Sequence, residues 1–168
     1  MSSKAHKTPT SEPPPLLAAI VFDWAGTLVD FGARAPVEGY IRLFERYGVK
    51  LTADEARAPM GLAAWDHIKA IGSVERVARH WRKHHGRRFS DPDVDELLGV
   101  WPAINAGAVI DFAELIPGAV DIIATLRSRG LKIGSTTEYS RETMAQLTPL
   151  VRDAGFAPDT LVCGDDLA

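Results

Sequence analysis

An apolar run, Leu16, Leu17, Ala18, Ala19, Ile20, Val21 and Phe22, stops abruptly at Asp23-Trp24-Ala25-Gly26-Thr27. Seven apolar residues without alternation read as a central strand covered on both faces. In open parallel sheets, ligands bind in the crevice beyond the carboxyl ends of the strands. A carboxylate at that tip is a candidate nucleophile, so Asp23 must face a cavity if this reading holds. Gly26 and Thr27 follow closely, as a turn needs if it is to bring backbone N–H groups near an anionic oxygen, because glycine adds no Cβ. The same five residues also describe a plain strand-to-loop turn, where aspartate bonds to nearby backbone.

A second strand-like segment, Lys132-Ile133-Gly134-Ser135-Thr136-Thr137, ends in hydroxyls, which on their own suit the N-cap of a following helix. Between Arg76 and Arg88 a basic cluster holds Arg79, His80, Arg82, Lys83, His84, His85, Arg87 and Arg88. His80 and His84 are four apart, yet no acidic or cysteine ligand accompanies them, so a solvated helix face is expected rather than a metal or nucleic-acid site.

Composition bounds the rest. The 168 residues, 46% hydrophobic, can bury a core as one domain or one domain with a small insert. A net charge of −3 gives no general attraction to nucleic acid or anionic membrane, which points to a small-molecule partner. Cys163 is the single cysteine, excluding an internal disulfide and a Cys-rich zinc site, so a cytoplasmic location is the expectation. Residues 1–15, rich in Ser, Thr and Pro with the triplet Pro13-Pro14-Pro15, lack a signal-peptide h-region and read as a disordered tail. No apolar run approaches the ~20 residues needed to cross a bilayer.

The elements that must position Asp23 can be read from periodicity. Val37, Tyr40, Ile41 and Phe44 recur at helical spacing from Pro36 to Tyr47, with Gly48 as a stop. Thr52 and Glu55 form a capping-box pattern for a helix that Pro59 ends. Further helices run through Trp65, Ile68 and Ile71, from Ser73 towards His85, and from an Asp91 N-cap with Pro92 first in the helix. Val94, Leu97, Leu98 and Trp101 give that last helix its buried stripe, with a kink or end expected at Pro102. After residue 114 the pattern becomes a helix at Gly118 to Arg129, a strand at Leu131 to Thr136, a helix at Arg141 to Ala154 disturbed by Pro149, and a strand at Thr160 to Cys163. The expected fold is α/β: a parallel sheet core from residues 16–33 and 112–168, interrupted by an all-helical insert over residues 34–111.

The segment Asp23-Trp24-Ala25-Gly26-Thr27 resembles the DxxGT nucleophile motif of the haloacid dehalogenase (HAD) superfamily. Its wording is similar to that of the phosphonoacetaldehyde hydrolase, or phosphonatase, family. The resemblance implies a HAD-like Rossmannoid core with a helical cap that closes over a phosphonate substrate. It implies Asp23 as nucleophile, Mg²⁺ held by Asp23 and the Ala25 carbonyl, and cleavage of phosphonoacetaldehyde to acetaldehyde and phosphate. Thr137 aligns with the phosphate-binding hydroxyl of the second HAD motif, and Tyr139 also matches. In the insert, Met60-Gly61-Leu62-Ala63-Ala64-Trp65-Asp66-His67-Ile68 matches a phosphonatase segment, making Met60, Gly61 and His67 candidate substrate contacts with Gly26, Thr27, Thr137 and Tyr139. A homodimer through the cap is implied as well.

The departures are specific. The family lysine that forms a Schiff base with the aldehyde is replaced by Ala64, and Lys69 lies elsewhere on a helix that turns 100° per residue. Glu138 stands where the family usually has glycine, and its charge would repel a phosphonate unless it points outward. The chain ends before a Gly-Arg-Pro phosphate motif and the acidic metal motif, and Gly164-Asp165-Asp166 resembles the latter only by accident. The core is therefore expected to be incomplete, with the first strand's edge exposed and prone to pairing with another chain. The alternative reading is an inactive or truncated relative that serves only in binding or dimerisation.

Overall fold

The computed structural model describes residues 17–167; the expected tail at 1–15 lies outside the described residues. In chain order the elements are β1 (Ala19–Phe22), α1 (Arg34–Arg46), α2 (Ala53–Arg57), α3 (Ala64–Ser73), α4 (Glu75–His85), α5 (Asp91–Asp111), α6 (Ala119–Ser128), β2 (Lys132–Thr136), α7 (Arg141–Asp153) and β3 (Thr160–Val162). A short 3₁₀ turn, Gly164–Leu167, follows β3. The three strands are parallel in the order β1-β2-β3, with Ile20 opposite Ile133 and Ser135 opposite Leu161.

β2, not β1, is the central strand among the described residues. Ile133, Gly134 and Ser135 are buried, whereas Val21 is 64% exposed and Ile20 and Phe22 are only partly covered. An apolar run reveals that a strand has two apolar faces, but not which neighbours cover them. Gly134 fits closely at the centre, since a Cβ there would come within 3.3 Å of both the Val21 and Thr160 side chains.

Helix starts follow local chemistry. Thr52 Oγ1 accepts from Glu55 N at 3.2 Å and Thr52 N donates to Glu55 Oε2 at 2.9 Å, which is the expected capping box. For α5 the N-cap is Ser90 rather than Asp91, because the Asp93 carboxylate accepts from both Ser90 N and Ser90 Oγ, each at 2.8 Å. Pro102 does not end α5, nor does Pro149 end α7. A proline inside a helix costs about 3 kcal/mol, and in α5 packing on both sides of it offsets that. Val94 and Leu97 fill one apolar cluster; Val109, with Ile110 packed against it, belongs to the other.

Those two clusters organise the molecule. One gathers Val37, Leu43, Phe44, Ile68, Ile71, Val77, Trp81, Val94 and Leu97 from α1, α3, α4 and α5. The other gathers Trp24, Leu28, Val29, Ile133, Met144, Leu147, Val151 and Phe156 around the sheet. The helix α5, 21 residues long, belongs to both. The basic cluster of α4 lies on a largely exposed helix face: Arg76 pairs with Glu55, and Arg87 just beyond it pairs with Asp93.

Candidate active site

The tip of β1 is a tight turn built on Trp24. Its carbonyl accepts from Thr27 N, Leu28 N and Val29 N, and its fully buried indole meets Phe156 edge-on at 5.7 Å. Gly26 adopts φ 74° and donates its N–H to Val29 O at 2.8 Å. The amides of Gly26 and Thr27 are thus used inside the turn and do not face an anion, contrary to the expectation drawn from their spacing. Gly26 is there for its left-handed backbone. The Ala25–Val29 bridge runs through the Trp24 and Val29 carbonyls, leaving the Ala25 carbonyl outside it.

Asp23 itself is exposed. Among the described residues β1 is an outer strand of the sheet, and Asp23 is outside the lining of the cavity described below. The requirement that this carboxylate face a cavity is therefore not met in this structure. A different aspartate, which the sequence did not single out, is buried: Asp30, 2% exposed, accepts from Arg34 N and Ala35 N at 2.8 Å each. It satisfies amides at the start of α1, where no side chain at Ala33 can do so.

The loop after β2 is fastened by the segment after β3. Thr137 N donates to Val162 O, Gly164 N donates to Tyr139 O at 3.1 Å, and Thr137 Oγ1 accepts from Tyr139 N at 3.2 Å. Thr137 is not the helix cap; Ser140 is, accepting from Thr143 N. Gly164 is obligatory, since a Cβ there would lie 2.5 Å from the Glu138 carbonyl oxygen. Asp165 accepts from Arg141 N, and Asp166 accepts from the Arg141 guanidinium and from Cys163 N. These two carboxylates hold the loop.

Between that loop and the helices lies a cavity of about 590 Å³. Met60, Gly61, Ala64, His67 and Tyr139 line it, together with Tyr40, Trp101, Asn105 and Glu138. Of the sequence candidates, the structure brings Met60, Gly61, His67 and Tyr139 to this cavity; Ala25, Gly26, Thr27 and Thr137 lie outside its lining. Ala64, at the position of the family lysine, is on its wall. Glu138 does not point away: it lines the cavity, and its charge, after burial, pushes the Tyr40 phenol up to about 12.

His67 is 1% exposed, with Nε2 at 2.9 Å from Ala56 O and its ring stacked on Tyr40 at 3.8 Å. Tyr40 is stacked in turn on Trp101 at 4.0 Å. Burial lowers the His67 pKa, so the ring is neutral at pH 7 and Nε2–H donates to Ala56 O. Tyr139 is 5% exposed and its hydroxyl has no partner among the described residues. Burial raises its pKa, reinforced by the charges of Asp30, Glu138 and Asp23. Tyr139 therefore links the cavity to the tip of β1.

Sequence reasoning missed Tyr40, Trp101 and Asn105 as lining residues, having read the first two as buried helix stripe. Nothing in their spacing distinguishes a wall from a core. For a cation, Asp23 and the Ala25 carbonyl offer hard oxygens of the kind Mg²⁺ takes with one or two carboxylates plus water and phosphate. Among the described residues no group of three His, Cys, Asp or Glu could hold a metal.

A family model of haloacid dehalogenase-like hydrolases matches residues 17–168. The chain is 41% identical over 148 residues to a phosphonoacetaldehyde hydrolase of Paraburkholderia phytofirmans, covering 88% of this chain and 55% of that protein. Against the Klebsiella pneumoniae phosphonoacetaldehyde hydrolase it is 41% identical over 153 residues, covering 90% and 57%. The chain thus spans little more than half the length of these curated relatives. A crystal structure of a phosphonoacetaldehyde hydrolase like protein from Oleispira antarctica superposes with a TM-score of 0.74 at 32% identity, covering 89% of this chain and 54% of that one. A putative beta-phosphoglucomutase from Thermotoga maritima, at 21% identity and a TM-score of 0.58, shares the fold.

Proposed function

Because this chain belongs to the haloacid dehalogenase-like hydrolases, we propose that it carries the nucleophile-bearing part of a phosphonoacetaldehyde hydrolase site. Among the described residues Asp23 faces no cavity; the observation that carries this reading is instead the motif Asp23-Trp24-Ala25-Gly26-Thr27 in a chain 41% identical, over 55% of the relative's length, to a hydrolase of that name. An Asp23 oxygen attacks phosphorus, the carbon–phosphorus bond breaks, the departing carbon takes a proton to give acetaldehyde, and water releases phosphate from the aspartyl phosphate and restores the carboxylate. The Thr137 hydroxyl, which accepts from Tyr139 N, keeps its own proton to donate to a phosphoryl oxygen. Gly26 and Thr27 act by shaping the turn that presents Asp23.

Mg²⁺, held by the Asp23 carboxylate and the Ala25 carbonyl, would supply charge neutralisation between nucleophile and phosphoryl group. Residues 34–111 act as the cap, with Met60, Gly61 and His67 on its substrate side. The test is phosphate release from phosphonoacetaldehyde with Mg²⁺. Activity in the wild-type chain that Asp23→Asn abolishes supports the reading; equal rates in both overturn it.

Ala64 favours a second reading. Without an amine on the cavity wall, the carbon leaving group has no Schiff base to accept its electrons, and the chain would serve as a binding or dimerisation module. Chains pairing through the helical layer or the β1 edge would be its form. If Ala64→Lys raises phosphate release, the missing amine is the barrier to turnover. No helix among the described residues is long and apolar enough to cross a membrane, and the one cysteine is buried and free, consistent with a reducing cytoplasm.

A further inference from the structure

Residues from three other helices converge on the His67 imidazole of α3. Nε2–H donates to the Ala56 carbonyl of α2 at 2.9 Å. One hydrogen bond fixes one ring atom and the tautomer, but the ring can still tilt about that bond. Tyr40 of α1 stops the tilt: its ring lies on the imidazole with centroids 3.8 Å apart and planes 13° from parallel. Trp101 of α5 covers the opposite face of Tyr40 at 4.0 Å, again at 13°. The sequence makes room for this stack. Glycine inside a helix is disfavoured, yet Gly39 sits buried within α1 beside Tyr40. A Cβ there would lie 3.0 Å from Trp101 Cη2 and 3.1 Å from Cζ3, so Gly39 is the gap through which the indole crosses α1.

A stack that served packing alone would have no reason to end on a cavity, but all three rings line the one described above. With Nε2 carrying the proton, Nδ1 keeps a lone pair that can accept from a bound molecule. Burial keeps the ring uncharged at pH 7, and Glu138 is the one charged side chain on the cavity wall. Order already built into the fold need not be created on binding.

We propose that Tyr40, backed by Trp101 across Gly39, is the positioning residue for His67, holding it in one tautomer and one ring orientation as an acceptor on the cavity wall. Its effect on turnover rests on the reading of His67 as a substrate contact; its effect on the imidazole does not.

The test reads the imidazole directly, by long-range ¹H–¹⁵N correlation of the ¹⁵N-labelled chain from about pH 5 to pH 8, the range in which histidines titrate. The His67 signal is assigned by its loss in His67→Gln. The wild type should show the Nε2–H tautomer and titrate below the ordinary 6.5. Tyr40→Phe keeps the stacked ring and should reproduce that signature. Tyr40→Leu and Trp101→Leu should give averaged tautomers and a titration moved up towards 6.5, with unchanged circular dichroism. Trp101 is only partly buried and its variant leaves Tyr40 in place, so it decides the matter if Tyr40→Leu does not fold. A wild-type tautomer and titration in either folded leucine variant would overturn the proposal. In phosphate release, Tyr40→Leu should raise KM by roughly tenfold and add nothing to His67→Gln in the double variant; additive losses would show Tyr40 acting by itself and overturn the proposal too. A chain that releases no phosphate would sink the hydrolase reading and leave the imidazole result standing, so the two fail separately.

Discussion

The helical layer and the sheet differ in how completely they satisfy themselves. In the helical layer, Phe44, Leu43, Ile68, Ile71, Val77 and Leu97 are fully buried, α2 starts with a capping box, and Arg76 and Arg87 are tied to Glu55 and Asp93. In the sheet half, Leu17, Val21, Ile122 and Val162 are exposed, and β1 pairs on one side only among the described residues. Helices meet their backbone needs within a segment, whereas a strand must borrow partners from elsewhere. The half bearing Asp23 is thus the half more dependent on neighbours.

The largest effect that could break this contrast is in the helical core. Phe44→Ala should cost about 3–5 kcal/mol by urea unfolding, while Val21→Ser should stay within about 0.5 kcal/mol. Similar losses at both sites would erase the difference between the halves. Next, Gly72 in α3 has the Phe89 ring 2.0 Å from where a Cβ would sit. Exposed helix glycines gain roughly 1 kcal/mol on replacement by alanine; here Gly72→Ala should instead destabilise by about 1–3 kcal/mol through overpacking.

The Arg76 guanidinium, hydrogen-bonded to Glu55, holds that carboxyl down to about 2 from its ordinary 4.5. A folded-state pKa below the unfolded one contributes stability above pH 4.5 that is lost as pH falls towards 2. Both partners are partly solvated, so Glu55→Gln should remove on the order of 1–2 kcal/mol at pH 7 and flatten the acid limb of the stability curve. An unchanged acid limb would remove this ion pair from the account of the helical half. The smallest effect on stability is at the open edge: Val21→Lys should leave melting nearly unchanged yet reduce concentration-dependent association in sedimentation velocity. A wild-type chain that sediments as a monomer at all concentrations would count against an adhesive edge.

Much of the secondary structure was legible because its signals are local. The Thr52–Glu55 box, Gly48 after α1 and the alternation of helix and strand after residue 114 each depend on a few adjacent residues. Errors arose where a local rule had a close competitor or a distant answer. Ser90 displaced Asp91 as cap because both are good acceptors one position apart, and Pro102 failed to stop α5 because packing on both sides outweighs one lost hydrogen bond. Asp30 went unnoticed since its burial and paired amides depend on how the chain enters α1.

Residue order alone determined the α/β alternation, the family motif at Asp23 and the absence of an amine at position 64, because identity and periodicity need no partner. Only the tertiary structure decided that Asp23 is open to solvent among the described residues. The same holds for Glu138 turning into a cavity with Asn105 and Tyr139. The physical reason is that exposure, charge environment and unpaired polar atoms are properties of surfaces brought together from distant parts of the chain.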